Sequence, residues 1–331
     1  MKFPTIDYKS TLKLLLKLLF AVGILYWLVS QNKLDYSLVI RSLKSPVLWL
    51  SCFILLLFQI CLGAVRWRII LKTQMKEISL KEVLRIQWIG QFFSVILPGA
   101  VTGDLVKIGY VTALKKNVSK KFLLLTIFID RLVGLNALLL LAGLTSAIYY
   151  RELVELNPLL KGVIYVNIFL FLGSCGIMFV FLLNKKLQLK IMSLVPFKKV
   201  NDILEMIWSF SSFKRDMLKA FLISVFAHVV TVGSFWLINL QFFEKSIELK
   251  YLLSLIPLGQ VAVSIPVSPA GLGIGHAAYD KLFHFIGHSN GASLFNVWWV
   301  VMFMANLCGV LPFLFSRSPE VAEVKLKESS P

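Results

Sequence analysis

Three acids and three bases sit inside otherwise apolar sequence, and they come as neighbours: Asp104 with Lys107, Asp130 with Arg131, and Asp280 with Lys281. A charge at membrane depth costs on the order of 3 kcal/mol or more unless it is paired or wetted, so such groups face a bundle interior or a water-filled cavity. The basic members can hold an anion, and the acidic members can carry a proton. The plainer alternative for each pair is a structural ion bridge or a charge near the interface. Arg66-Trp67-Arg68 closes an apolar run; two arginines around a tryptophan suit interfacial anchoring, and one guanidinium, Arg66, suits a phosphate. His276, Asp280, His284 and His288 recur every four residues, the spacing at which two imidazoles share a metal on a helix. Each step drifts by about 40°, so the ends of that stripe diverge, and no cysteine or glutamate completes a ligand set. A polar stripe led by His276 is the better expectation, with no metal and no cofactor. His228, alone in an apolar run, suits a hydrogen-bonded packing role.

The elements that must position these groups are membrane helices. The 331 residues are 58% hydrophobic and 16% charged, with a mean hydropathy of +0.80, which excludes an ordinary water-soluble domain. Six runs approach the ~20 residues a span needs: 12–30, 46–65, 121–149, 162–183, 217–241 and 293–315. The first carries Lys13 and Lys17 and lacks a small-residue cleavage site, so it is expected to be retained as a span. Two further regions, 83–114 and 251–288, are apolar but interrupted, one by Pro98, Gly99 and Gly103, the other by Pro266, Pro269, Gly271, Gly273 and Gly275. Each holds two pieces shorter than a span. The expectation is an all-α polytopic membrane protein with six full spans and two broken, re-entrant hairpins; eight or more spans is the alternative. A backbone broken in hydrocarbon leaves N–H and C=O groups unpaired, which is tolerable only against protein or a wet cavity.

Charge sets the orientation. With both termini placed in the cytoplasm, the inner segments hold 25 Lys and Arg and the outer segments 7. The net charge of +18 therefore reports topology, and nucleic-acid binding is not indicated. The chain divides into halves, 12–149 and 162–315, each reading span, span, hairpin, span, with three crossings apiece and hence opposite orientation. Aligning Gly99 with Gly271 matches Gly103 to Gly275 and Asp104 to His276. Inverted repeats meeting at broken helices are a recurrent transporter plan. Residues 1–315 form one membrane domain, in which 184–216 is a basic stretch suited to the cytoplasmic headgroup region, and 316–331 is expected to be a disordered tail. The four cysteines show no CxxC spacing and suit packing rather than a disulfide frame or metal site. No Walker loop, GxSxG or HExxH is present, so an enzyme would have to work inside the membrane.

Taken in order, Arg66-Trp67-Arg68, Phe92-Phe93 to Leu97-Pro98-Gly99 with Gly103-Asp104, Asp130-Arg131 with Gly134, Ile265-Pro266 and Gly271-Leu272-Gly273 resemble the lysylphosphatidylglycerol synthase transmembrane-region family, also called flippase-like. The likeness covers nearly the whole chain. It implies a helical bundle in the cytoplasmic membrane of a prokaryote that moves lipids or lipid-linked sugars between leaflets. Some members of that family carry a soluble aminoacyl transferase; this sequence ends at Pro331 without room for one, so lipid lysylation is not carried over. Many relatives place a basic residue and then Glu where Gly275 and His276 stand here, so His276 either substitutes or marks another substrate. The resulting expectation is a lipid translocase acting on an anionic phospholipid or a polyprenyl-phosphate-linked precursor. Asp104, Lys107, Asp130, Arg131, His276 and Arg66 line the route, and Pro98, Gly99, Gly103, Pro269, Gly271 and Gly273 shape it. The alternatives are an intramembrane enzyme acting on a lipid phosphate, with His276 or Asp104 as general base, and a non-transporting partner of an envelope-synthesis enzyme.

Overall fold

A hydrocarbon layer of about 30 Å needs roughly 20 helical residues at 1.5 Å each, and this length divides the helices into two kinds. The computed structural model describes residues 45–96, 101–115, 118–181, 185–242, 246–264 and 271–315. Its helices are α1 (Pro46–Leu71), α2 (Leu80–Ile96), α3 (Thr102–Leu114), α4 (Lys120–Ile148), α5 (Tyr150–Leu156), α6 (Leu160–Phe181), α7 (Lys185–Leu194), α8 (Lys198–Ser209), α9 (Lys214–Phe242), α10 (Leu249–Ser264), α11 (Ile274–His284), α12 (Gly291–Leu307) and α13 (Val310–Leu314), with a 3-10 turn at Phe210–Phe213. Among the described residues four stretches are long and apolar enough to cross a membrane, Pro46–Leu71, Lys120–Ile148, Val200–Leu240 and Gly291–Leu314, and the secondary structure is all helical. The chain is a multi-pass membrane protein. Of the other two expected spans, 162–183 falls on α6 and the adjoining residues, and 12–30 lies outside the described residues. So do Pro98, Gly99, Pro269 and the 316–331 tail.

The two interrupted regions form short helices. α2 has 17 residues, α3 13, α10 16 and α11 11, so each is about 25 Å long or less and falls short of the hydrocarbon thickness. Each pair is antiparallel. Gly103 approaches Gly90 so closely that a Cβ there would collide with the Gly90 carbonyl oxygen, and further along Lys107 lies across Gly90 and reaches Gln87. In the second pair Gly271 faces Val263, and Tyr279 lies across Gly259 with its hydroxyl donating to the Ile256 carbonyl at 3.0 Å. Gly271 and Gly273 have φ of 74° and 81°, a left-handed conformation that glycine adopts without a Cβ penalty.

α1 and α9 run antiparallel through the centre, joined by the Phe58 and Phe226 rings and by Arg66 with Ser224. Around them the helices exchange partners. α2 packs against α12 and α13, whereas α10 packs against α4. Polar side chains bridge α4 and α6: Asn136 donates to the Ser174 carbonyl at 3.0 Å, and Asn167 to the Ser146 hydroxyl at 3.3 Å. Such bonds join helices where apolar contact gives little preference over lipid. At the other end of the bundle Lys250 ties α10 to Glu152 of α5 at 2.6 Å, and buried Asn239 clamps Ile247 through both its N–H and its carbonyl.

Pro257 stands inside α10 and cannot donate to the Leu253 carbonyl four residues earlier. Thr145 of α4 supplies a replacement: its hydroxyl lies 3.0 Å from that oxygen and 2.7 Å from Leu141 O in its own helix. Thr145→Val keeps the shape and removes the donor. It is expected to destabilise the protein by about 1 kcal/mol in detergent unfolding, the net value of one hydrogen bond. Parent-like stability would show that the Leu253 carbonyl finds water or another donor.

Candidate functional site

On a helix, residues i and i+1 point about 100° apart, so adjacent charges rarely meet. Asp130 and Arg131 accordingly part company, against the pairing their adjacency suggested. Asp130, 8% exposed on α4, receives the Arg66 guanidinium of α1 through two bonds of 2.7 Å, from Nε and Nη2. The third guanidinium nitrogen, Nη1, donates to the Ser224 hydroxyl of α9 at 3.1 Å. Gly134, one turn beyond Asp130, leaves the room: a Cβ there would sit 3.0 Å from Arg66 Nη1. Its carbonyl contacts His228 Nε2 at 3.0 Å. Three long helices are thus tied at one level.

Arg131 turns to α3 and donates from Nε to Asp104 Oδ2 at 2.8 Å. Asp104 also receives Lys107 Nζ at 2.8 Å, so this expected pair does meet, at the i,i+3 spacing that faces on a helix. Lys107 is 6% exposed and caged: its ammonium stands 4.7 Å above the Trp67 ring and 3.4 Å from Gln87 Oε1. Trp67 itself is fully buried. The expected interfacial anchor is instead the floor of a cation site, because Arg66 and Lys107 both turn inward around it.

A cavity of about 420 Å³ opens beside this cluster. Arg66, Arg131 and His228 line one side, and Gln59, Gln87, Gln91, Gln260 and Asn306 contribute amides elsewhere. Residues that flank both helix breaks reach it: Ser94 and Val95 near the end of α2, and Val263, Ser264 and Gly271 beside the α10–α11 break. Lys107 and Asp104 stand behind Arg131 rather than on the surface. Gly103 shapes the wall by letting α3 close on α2, and Gly271 lines it directly. The glutamines were missed by sequence reading, since an uncharged amide in an apolar run has little contrast. Four glutamines in interior runs were the available signal.

The sequence family described as "Lysylphosphatidylglycerol synthase TM region" matches residues 14–313. The chain belongs to this family. No curated protein and no solved structure matches it. In this family member the positions aligned across the two breaks hold the same place within their own helices. Asp104 and His276 are each the third residue of the helix that follows a break, after Val101 and Gly273 as the caps. Lys107 and Tyr279 each lie across a glycine of the preceding helix.

What fills the two positions differs. The third residue of α3 is charged and turned to Arg131. His276 is fully buried, its Nδ1 accepting from the Gly273 N–H at 3.3 Å and its Nε2 lying 3.3 Å from Asn296 Oδ1, with the Phe295 ring edge-on. It steadies the start of α11 and is set apart from the cavity lining. Around Tyr279 the rings of Phe235 and Phe295 stack at 5.1 and 5.0 Å. One hairpin is therefore packed with charge and the other with aromatic surface. The expected histidine stripe also ends early: α11 stops at His284, which is exposed, and His288 lies past a positive-φ turn at Gly287. Among the described residues no three metal-ligating side chains are grouped.

Proposed function

We propose that this protein moves an anionic lipid between leaflets, with α2–α3 and α10–α11 dipping into the membrane from opposite faces as an inverted pair. The observation that carries this reading is the polar cavity reached from both breaks, with two guanidiniums on its wall, inside a bundle whose outer surface is apolar. Short helices that stop at mid-depth need a wet interior, and a cavity of this kind supplies it. Arg66 and Arg131 would take the phosphate, since a guanidinium matches its oxygens with paired donors. Each already holds a carboxylate, so an incoming phosphate competes with Asp130 and Asp104. Arg131, with 53% of its side chain exposed, is the more exposed of the two, against 17% for Arg66. Acyl chains would stay in lipid while the head crosses. Membership of a lipid-related membrane family fits this assignment, and the membrane would be the cytoplasmic one of a prokaryote.

Reconstitution of the whole chain in vesicles tests it, with labelled phosphatidylglycerol and a labelled polyprenyl phosphate in separate preparations. Transfer above protein-free vesicles is expected for at least one of them. Arg131→Gln is expected to slow it about tenfold or more, the value of one charge-assisted hydrogen bond. No transfer of either lipid would overturn the translocase assignment, and a rate unchanged by Arg131→Gln would remove that residue from the route. A chemically altered lipid would replace transport by catalysis.

A further inference from the structure

The cavity wall carries information about the head group beyond its charge. Seen from the cavity, the charged side chains are Arg66 and Arg131; among the described residues no carboxylate lines it, although Asp130 and Asp104 are bonded to those two guanidiniums. The remaining polar wall carries no acid: the amides of Gln59, Gln87, Gln91, Gln260 and Asn306, the Ser94 and Ser264 hydroxyls, and the His228 imidazole, whose Nε2 lies 3.0 Å from the Gly134 carbonyl. Amides present a carbonyl acceptor and an N–H₂ donor side by side. A hydroxyl is the head-group chemistry that answers both, since it donates and accepts. An ammonium only donates, and here it would meet two guanidiniums with no carboxylate between them.

Gln260 lines the cavity, and its side chain reaches toward the Tyr279 phenol, whose proton goes to the Ile256 carbonyl at 3.0 Å; its amide nitrogen is shut off from the cavity by the surrounding atoms. The volume, about 420 Å³, is at the lower end for small-molecule sites, which run to about 1,000 Å³, and suits a head group rather than a whole lipid.

We propose that this cavity selects a lipid phosphate bearing an uncharged, hydroxylated head, such as a glycerol or a sugar, and discriminates against cationic and zwitterionic heads. This rests on the translocase assignment only in taking a lipid as the ligand. The same chemistry would recognise a soluble polyol phosphate, so the test separates the two sources.

Affinity of the purified full chain in detergent is measured by native mass spectrometry for phosphatidylglycerol, phosphatidic acid, phosphatidylethanolamine and lysylphosphatidylglycerol. Phosphatidylglycerol is expected to bind about tenfold more tightly than phosphatidic acid, which has the phosphate without the hydroxylated head, and at least tenfold more tightly than the other two. Gln91→Leu should bring phosphatidylglycerol to within about twofold of phosphatidic acid while leaving phosphatidic acid unchanged; Gln59→Leu serves the same purpose if the first variant does not fold. Equal affinity for phosphatidylglycerol and phosphatidic acid, or tighter binding of lysylphosphatidylglycerol, would overturn the proposal. Glycerol phosphate displacing the lipid at equal or lower concentration would overturn the lipid source. Selective binding without leaflet transfer leaves head-group selection standing and removes the translocase, whereas transfer of every anionic lipid at one rate does the reverse.

Discussion

Asp130→Asn is expected to destabilise the protein by about 3–5 kcal/mol, the cost of leaving one member of a buried ion pair without its partner. The substitution barely changes volume, so packing is not the cause. Arg66 and Asp130 have side-chain exposures of 17% and 11%, and the guanidinium uses two of its three nitrogens on this one carboxylate. Removing the negative charge strands Arg66 among α1, α4 and α9, with the Ser224 hydroxyl as its remaining bond there. Arg66→Gln alone should also destabilise, by stranding the carboxylate. The double variant carries no uncompensated charge and is expected to recover at least half of the loss. Unfolding of the four purified proteins in detergent measures all of these values. A single-variant loss below about 0.5 kcal/mol would mean that cavity water solvates Arg66 as well as Asp130 does.

The second large effect is expected at Gly103, and Gly109 on the same helix is its control. A Cβ at Gly103 collides with the Gly90 carbonyl oxygen, so backbone meets backbone and no side chain can turn aside. A Cβ at Gly109 meets nothing within 4 Å. Gly103→Ala should therefore cost about 1–3 kcal/mol through overpacking, whereas Gly109→Ala should be neutral or stabilising by up to about 1 kcal/mol through helix propensity. The consequences extend beyond stability. Spreading α3 from α2 moves Asp104 relative to Arg131 and Lys107 relative to Trp67, and a displacement of about 1 Å at a positioned charge can cost on the order of a hundredfold in rate. Lipid transfer in vesicles by Gly103→Ala is expected to fall at least tenfold below that of Gly109→Ala. Equal rates would detach the hairpin contact from function.

Much of this arrangement was legible along the chain because it depends on local composition. Long apolar runs declare α1, α4, α9 and α12 by hydrocarbon thickness alone. Proline and glycine interruptions declare the short helices around the two breaks, and glycine spacing placed Asp104 and His276 in equivalent positions after them. The i,i+3 pair of Asp104 with Lys107 was equally accessible, since both residues belong to one helix turn.

Contacts between distant segments were not legible. Adjacent Asp130 and Arg131 look like a pair on paper, yet the helical twist sends one to Arg66, 64 residues away, and the other to Asp104, 27 residues away. His276 and Asp104 occupy matching places, but Phe295 and Asn296 of α12 enclose the first, while Arg131 of α4 meets the second. Trp67 looked like an interfacial anchor and became the floor beneath Lys107. Linear sequence determined which segments are apolar, where they break and which charges must be hidden. Tertiary structure alone decided which charge each one meets and which glutamines face the cavity, because a side chain's partner depends on helix rotation and on neighbours that only folding brings near.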